Sequence, residues 1–188
     1  MKTAFEVAEH IAARLDEAGL AYAIGGALAL TAFAIPRDTK DVDLSIFVPE
    51  RSLDSAIDAL ERAGVMIDRA EASRSVSRIA MFTGRHGRTN VDVFISEHPH
   101  ARAMEARRVQ FLGPSGNPLW FVSVEDLVVL KLLYARAKDT GDLERLFAAY
   151  PDLDVTYVRR WLTTIAPAGD RRFATLDDLE RRFLARPR

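Results

Sequence analysis

The sequence predicts an α+β fold, with a small mixed β-sheet flanked by helices in the first two-thirds and a helical C-terminal region after it. Three observations predict it. Short apolar runs at 21–24, 42–48, 76–83, 89–95, 109–112 and 119–122 are strand-like and bounded by Gly and Pro. Segments with apolar residues three and four apart interleave with the earlier runs. Beyond residue 123 only helical spacing remains, so the chain divides into a core over 1–122 and a helical region over 123–188 expected to pack on it.

The elements follow in order. Phe5, Ala8, Ile11, Ala12 and Leu15 recur at helical spacing over residues 4–18, and Gly19 supplies a stop. Ala21-Tyr22-Ala23-Ile24 ends at Gly25-Gly26, a buried strand entering a tight turn. Residues 27–34 are rich in Ala and Leu and predict a short helix. Pro36 ends it, because the residue before a proline is pushed out of the helical region. Val42 to Val48 is a strand in which Asp43 and Ser45 alternate with apolar neighbours, closed by Pro49. Leu53, Ile57 and Leu60 define a helix with Ser52 as N-cap and Gly64 after its end.

Residues 76–83 and 89–95 read as two strands joined by the loop Gly84-Arg85-His86-Gly87-Arg88. A second pair, 109–112 and 119–122, is separated by residues 113–118. Ser123-Val124-Glu125-Asp126 has the form of a capping box, with Asp where Glu or Gln is usual. It opens a helix through Leu127, Leu130 and Leu133. Further helices are expected over about 141–149, 154–164 and 175–185, punctuated by Pro151 and Ala166-Pro167-Ala168-Gly169.

Composition bounds the function. The 188 residues and 21.0 kDa allow one domain, or one with a small appendage. Hydrophobic residues make up 48% and charged residues 28%, which argues against disorder. The absence of cysteine excludes disulfides, thiolate metal sites and a cysteine nucleophile. No apolar run approaches the roughly 20 residues that cross a bilayer. The N-terminus turns acidic at Glu6, which predicts no signal peptide and a cytoplasmic protein. The net charge of −1 hides a basic middle, with eight arginines against four acidic residues over 69–108. Arg74, Arg78, Arg85 and Arg88 of that stretch are candidate contacts for a polyanion, Arg74 and Arg78 sharing one face on alternate strand positions.

The chemistry concentrates in Gly25-Gly26 and Asp41-Val42-Asp43. On a strand, Asp41 and Asp43 project side by side with Val42 opposite. Two adjacent carboxylates repel unless a cation sits between them, and their hard oxygens suit Mg²⁺ or Mn²⁺ held together with substrate phosphates. The glycine pair lets backbone N–H groups approach an anion at the start of the next helix. Asp92, in Asn90-Val91-Asp92-Val93-Phe94, adds a carboxylate that completes a metal set or accepts a proton from an attacking hydroxyl, provided its strand lies beside the first. Arg37 and Lys40 lie in the 14-residue stretch 27–40, placed to meet a phosphate or a nucleic-acid acceptor.

This order of residues resembles the DNA polymerase β-type nucleotidyltransferase superfamily. The segments 122–131 and 136–143 resemble the helical part of its AbiEii/MenT-like branch, which includes toxins of toxin–antitoxin pairs, some of which modify tRNA. The resemblance covers roughly residues 20–150. It implies a catalytic nucleotidyltransferase core over 1–122 and a metal-dependent transfer of an NMP from an NTP such as ATP to an acceptor hydroxyl. RNA, in particular tRNA, is the first expected acceptor, and a cognate antitoxin the expected protein partner. It also implies that Asp41, Asp43 and Asp92 serve metal and catalysis and that Gly25 and Gly26 contact the triphosphate. Lys131 would neutralise phosphate charge, and Asp142 would orient Lys131 or the nucleotide. One departure is Gly26, where the superfamily commonly has serine; the long 27–40 stretch is another. Transfer to a small molecule or a protein, and a non-catalytic nucleotide- or partner-binding module, are the alternatives.

Other motifs carry less. His98-Pro99-His100 reads as exposed loop rather than a zinc site. Trp120, Phe121 and the Leu127/Leu130/Leu133 stripe read as core. No Walker loop and no Gly-x-Ser-x-Gly elbow is present.

Overall fold

The computed structural model describes residues 2–33 and 35–184, the side chains of Ala137 and Lys138 excepted. The chain divides into two compact units, Met1–Val122 and Ser123–Arg188.

In the first unit, α1 (Ala4–Glu17) opens with a reciprocal capping box between Thr3 and Glu6 and buries Val7, Ala8, Ile11, Ala12 and Leu15. Then follow β1 (Tyr22–Ile24), α2 (Gly26–Ala32), β2 (Asp41–Ile46), a 3₁₀ turn at Glu50–Ser52, α3 (Leu53–Arg62), α4 (Arg69–Ile79), β3 (Met81–His86), β4 (Thr89–Phe94), α5 (Pro99–Arg107), β5 (Val109–Leu112) and β6 (Pro118–Phe121). The six strands form one sheet in the order β3-β4-β2-β1-β6-β5. The β2/β4 and β1/β6 pairs are parallel and the other three antiparallel, so the sheet is mixed as expected. Tyr22, Ile24, Val42, Leu44, Val91 and Val93 are buried, and α1 lies against β2 and α3.

In the second unit, α6 (Val124–Tyr134), α7 (Ala137–Ala149), α8 (Val155–Ile165) and α9 (Arg171–Leu179, followed by a π turn to Leu184) enclose Leu127, Val128, Leu132, Leu143, Phe147, Val158, Leu162 and Leu176. Ser123 caps α6 through its hydroxyl. The Arg172 guanidinium donates to the carbonyls of Leu132 and Leu133, satisfying the C-terminal end of that helix. No helix among the described residues is long and apolar enough to cross a membrane.

Several expectations are corrected. Residues 76–79 are not strand but the end of α4. Asp68 caps that helix by accepting from the Glu71 N–H, Ala72 and Val76 bury at a spacing of four, and Ala80 stops it with φ 56°. Arg74 and Arg78 therefore share a helix face, not a strand face. The hairpin loop is shorter than 84–88, because β3 continues to His86 and the turn is Gly87-Arg88, with Gly87 at φ 61°.

The helix over 99–107 was not anticipated from the sequence. His98 is its N-cap, Pro99 occupies its first turn and His100 is buried, so the His-Pro-His segment is a helix start rather than a loop. Ser52 stands at the N-cap of α3 but its side chain makes no capping bond, since a 3₁₀ turn precedes it. Helix α7 begins at Ala137, which places Gly141 and Asp142 inside it, and α9 begins at Arg171. Leu130, Leu133 and Trp120 are only half-buried, whereas Phe121 and Leu127 are core. Ala34 and Ala185, at the ends of two expected helices, lie outside the described residues.

Candidate active site

Strand register builds the site. In the parallel β2/β4 pair, Asp43 stands opposite Asp92 and Asp41 opposite Asn90. In the antiparallel β3/β4 pair, Thr83 stands opposite Asp92 and Arg85 opposite Asn90. Two rows therefore cross one face of the sheet, Thr83–Asp92–Asp43 and Arg85–Asn90–Asp41. The alternate positions Val42, Leu44, Val91 and Val93 are at most 1% exposed, while the three aspartates are half-buried and open to solvent. The carboxylates occupy the side of β2 and β4 that the core leaves free.

Each row has its own supports. The Thr83 hydroxyl donates to Asp92 Oδ1 at 2.7 Å and the Asn90 amide to Asp41 Oδ1 at 3.1 Å. The Asp41 N–H donates to Thr39 Oγ1 at 3.1 Å, and that hydroxyl donates to the Asp41 carbonyl at 3.2 Å, fixing the entry into β2. The Gly25 N–H donates to the Asp43 carbonyl at 2.9 Å, which sets the strand-to-helix turn beside Asp43. Arg37 is half-buried and Lys40 exposed on the approach to Asp41. Asp41, Asp43 and Asp92 are thus brought together with the Gly25-Gly26 turn. Thr83, Asn90 and Thr39 escaped the sequence reading. The one signal for the first two was their polarity on strands already assigned.

Hard carboxylate oxygens on one face fit a magnesium-type cation, which keeps several waters and takes phosphate oxygens beside one or two carboxylates. Among the described residues, no three His, Asp or Glu side chains gather into a ready-made metal centre. The donor set therefore suits a cation completed by substrate rather than an all-protein cage.

Lys131 and Asp142 belong to the second unit. The Lys131 ammonium donates to Asp142 Oδ2 at 2.6 Å and to Asp139 Oδ1 at 3.2 Å, with the three side chains 4%, 2% and 1% exposed. Burial pushes the Asp139 carboxyl up, but the Arg136 hydrogen bond and the Lys131 charge outweigh it and hold the group below the usual aspartate range. Asp139 also escaped the sequence reading, because its part depends on α7 beginning at Ala137. Asp126, fully buried, accepts from the hydroxyls of Ser123 and Tyr157, both at 2.7 Å.

Similar folds are known. The solution structure of the antibiotic-resistance factor ANT(2'')-Ia aligns over 94% of this chain and 96% of that chain, with a TM-score of 0.58 and 20% identity. The crystal structure of ANT(2")-Ia in complex with adenylyl-2"-tobramycin aligns over 95% and 98%, with a TM-score of 0.53 and 17% identity. An antigenic nucleotidyltransferase-like protein from Paracoccidioides brasiliensis aligns over 92% and 91%, with a TM-score of 0.51 and 16% identity. The chain has the nucleotidyltransferase fold. No protein-family model and no curated protein matches its sequence.

Proposed function

We propose that this protein is a nucleotidyltransferase that moves a nucleoside monophosphate from an NTP, such as ATP, to an acceptor hydroxyl and releases pyrophosphate. The observation that carries the reading is the register of Asp43 against Asp92, beside Asp41, on the open face next to the Gly25-Gly26 turn. The acceptor oxygen bonds to the α-phosphorus, the bond from that phosphorus to the bridging oxygen breaks, and its electron pair leaves with pyrophosphate. Asp92 takes the hydroxyl proton. Asp41 and Asp43, with Asp92 beside them, would hold a divalent cation, Mg²⁺ or Mn²⁺, which would supply neutralisation of the triphosphate charge. Gly25 and Gly26 offer bare backbone to the triphosphate, and Arg37 and Lys40 meet incoming phosphate. Lys131 and Asp142 are assigned to the nucleotide on the family resemblance alone.

The finer reading places the chain in the AbiEii/MenT-like branch, as a cytoplasmic toxin acting on RNA such as tRNA and restrained by a cognate antitoxin. Arg85 supports an anionic acceptor, since it stands in one row with Asn90 and Asp41 on the carboxylate face. Transfer to a small molecule is the second reading, because ANT(2")-Ia has been crystallised with adenylyl-2"-tobramycin. The test is incubation with each α-labelled NTP, Mg²⁺, and either total RNA or tobramycin. Label is expected in RNA, and absent with Asp43→Asn and Asp92→Asn. Label in tobramycin alone replaces the acceptor. Transfer that persists in both variants, or none with either acceptor, overturns the reading.

A further inference from the structure

The two adjacent glycines at the site are not equivalent. A Cβ built on Gly25 meets nothing closer than 3.9 Å, an ordinary contact with Asp43. A Cβ built on Gly26 would lie 1.8 Å from Asp43 Oδ2, 2.5 Å from its Cγ and 3.0 Å from its Cβ. The Asp43 carboxyl group therefore occupies the volume that any side chain at position 26 would fill. Because Cγ and Cβ of Asp43 crowd that position as well as Oδ2, a substituent displaces the whole group and not one oxygen. Gly26 also has φ 57°, in the region glycine enters freely.

We propose that Gly26 is a positioning residue: the space left by its missing side chain seats the Asp43 carboxylate and sets the direction in which Asp43 offers its oxygens to a divalent cation. The inference rests on the reading of Asp43 as a cation ligand. A serine at this position, common in the superfamily the sequence resembles, is incompatible with the carboxylate in this place. The glycine at 26 and the Asp43 rotamer are one feature.

Gly87 provides the control. It has φ 61°, close to that of Gly26, yet a Cβ there meets nothing within 4 Å. Gly87→Ala carries the backbone strain of a left-handed alanine without a collision. The experiment measures melting temperature and Mn²⁺ affinity by calorimetry for wild type, Gly87→Ala, Gly26→Ala, Asp43→Ala and Gly26→Ala/Asp43→Ala. Gly87→Ala is expected to melt about 2–4 °C below wild type with unchanged Mn²⁺ affinity. Gly26→Ala is expected to lose at least about twice that in melting temperature and roughly tenfold or more in Mn²⁺ affinity. In the Asp43→Ala background, Gly26→Ala should cost no more than Gly87→Ala does, because the collision is gone.

The inference is overturned if Gly26→Ala costs no more than Gly87→Ala, if its Mn²⁺ affinity equals that of wild type, or if Asp43→Ala gives no relief. Should Gly26→Ala fail to fold, a folded double variant supports the seat and an unfolded one removes it. Wild-type Mn²⁺ binding is a separate outcome: its absence removes the cation reading, while the melting-temperature cycle still decides whether Gly26 seats Asp43.

Discussion

Replacing Lys131 with methionine removes a charge that two carboxylates share in the interior of the second unit. Methionine keeps the length and apolar stem of lysine, so the change isolates the ammonium. In the native protein the ammonium lies 2.6 Å from Asp142 and 3.2 Å from Asp139, and none of the three side chains is more than 4% exposed. Without it, two carboxylates remain buried near each other, and Asp139 keeps a cationic neighbour, Arg136, at 3.1 Å. Breaking a buried pair by deleting one partner costs about 3–5 kcal/mol. For a chain of this length each kcal/mol lowers the melting temperature by roughly 2–4 °C, so the expected loss at pH 7 is on the order of 10 °C.

The loss should depend on pH, and the sign follows from Asp139. Its carboxyl is depressed in the native protein, so its stabilisation is complete above the ordinary aspartate value of about 3.9 and fades as pH falls toward the native value. In the variant Asp139 loses the Lys131 charge that helps to hold it ionised, so the variant gains relative to wild type as pH falls. Melting curves for both proteins from pH 7 to pH 2 should show a gap that is widest above about pH 4 and narrows below it. A Lys131→Met protein that melts with wild type at pH 7, or a gap that stays constant with pH, refutes this account of the buried cluster.

Three further outcomes are expected. Tyr157→Phe strips one of the two hydroxyls that Asp126 accepts from and should cost about 1.5–3 kcal/mol, read from the urea midpoint; an unchanged midpoint would show that Asp126 does not depend on that bond. Thr83→Val removes the donor to Asp92 at an exposed position, so nucleotidyl transfer should drop about 10–100-fold while the melting temperature moves by less than about 2 °C, with Thr83→Ser restoring the rate. Reversing Arg85 and Arg88 to Glu should weaken RNA modification and flatten its dependence on salt, because fewer counterions are released; parallel rate-against-salt lines for the two proteins would remove these arginines from acceptor binding.

Local sequence was enough for most element types and for the Asp41–Asp43 pairing, because both rest on short periods. Apolar residues three and four apart mark α1, α3 and α6, and a period of two puts Asp41 and Asp43 on one face whatever the strand pairs with. It failed where two signals overlapped in a few residues. Val76 and Ile79 carry β-branched residues that read as strand, yet the Asp68 cap and the Ala72–Val76 spacing make them the end of α4. Tertiary structure alone decided the rest. Asp92 reaches Asp43 because β4 pairs in parallel with β2 in one register, and a slip of one residue would have turned it into the core. Thr83 and Asn90 gained their parts from the same ladder, and Lys131 met Asp139 and Asp142 only once α6 and α7 had packed. Gly26 is the clearest case: from sequence it is half of a tight turn, and only the approach of a carboxylate from a strand 17 residues away makes its empty side the seat of Asp43. Periodicity is a property of neighbours along the chain, whereas these contacts depend on which distant segments the burial of apolar faces brings together.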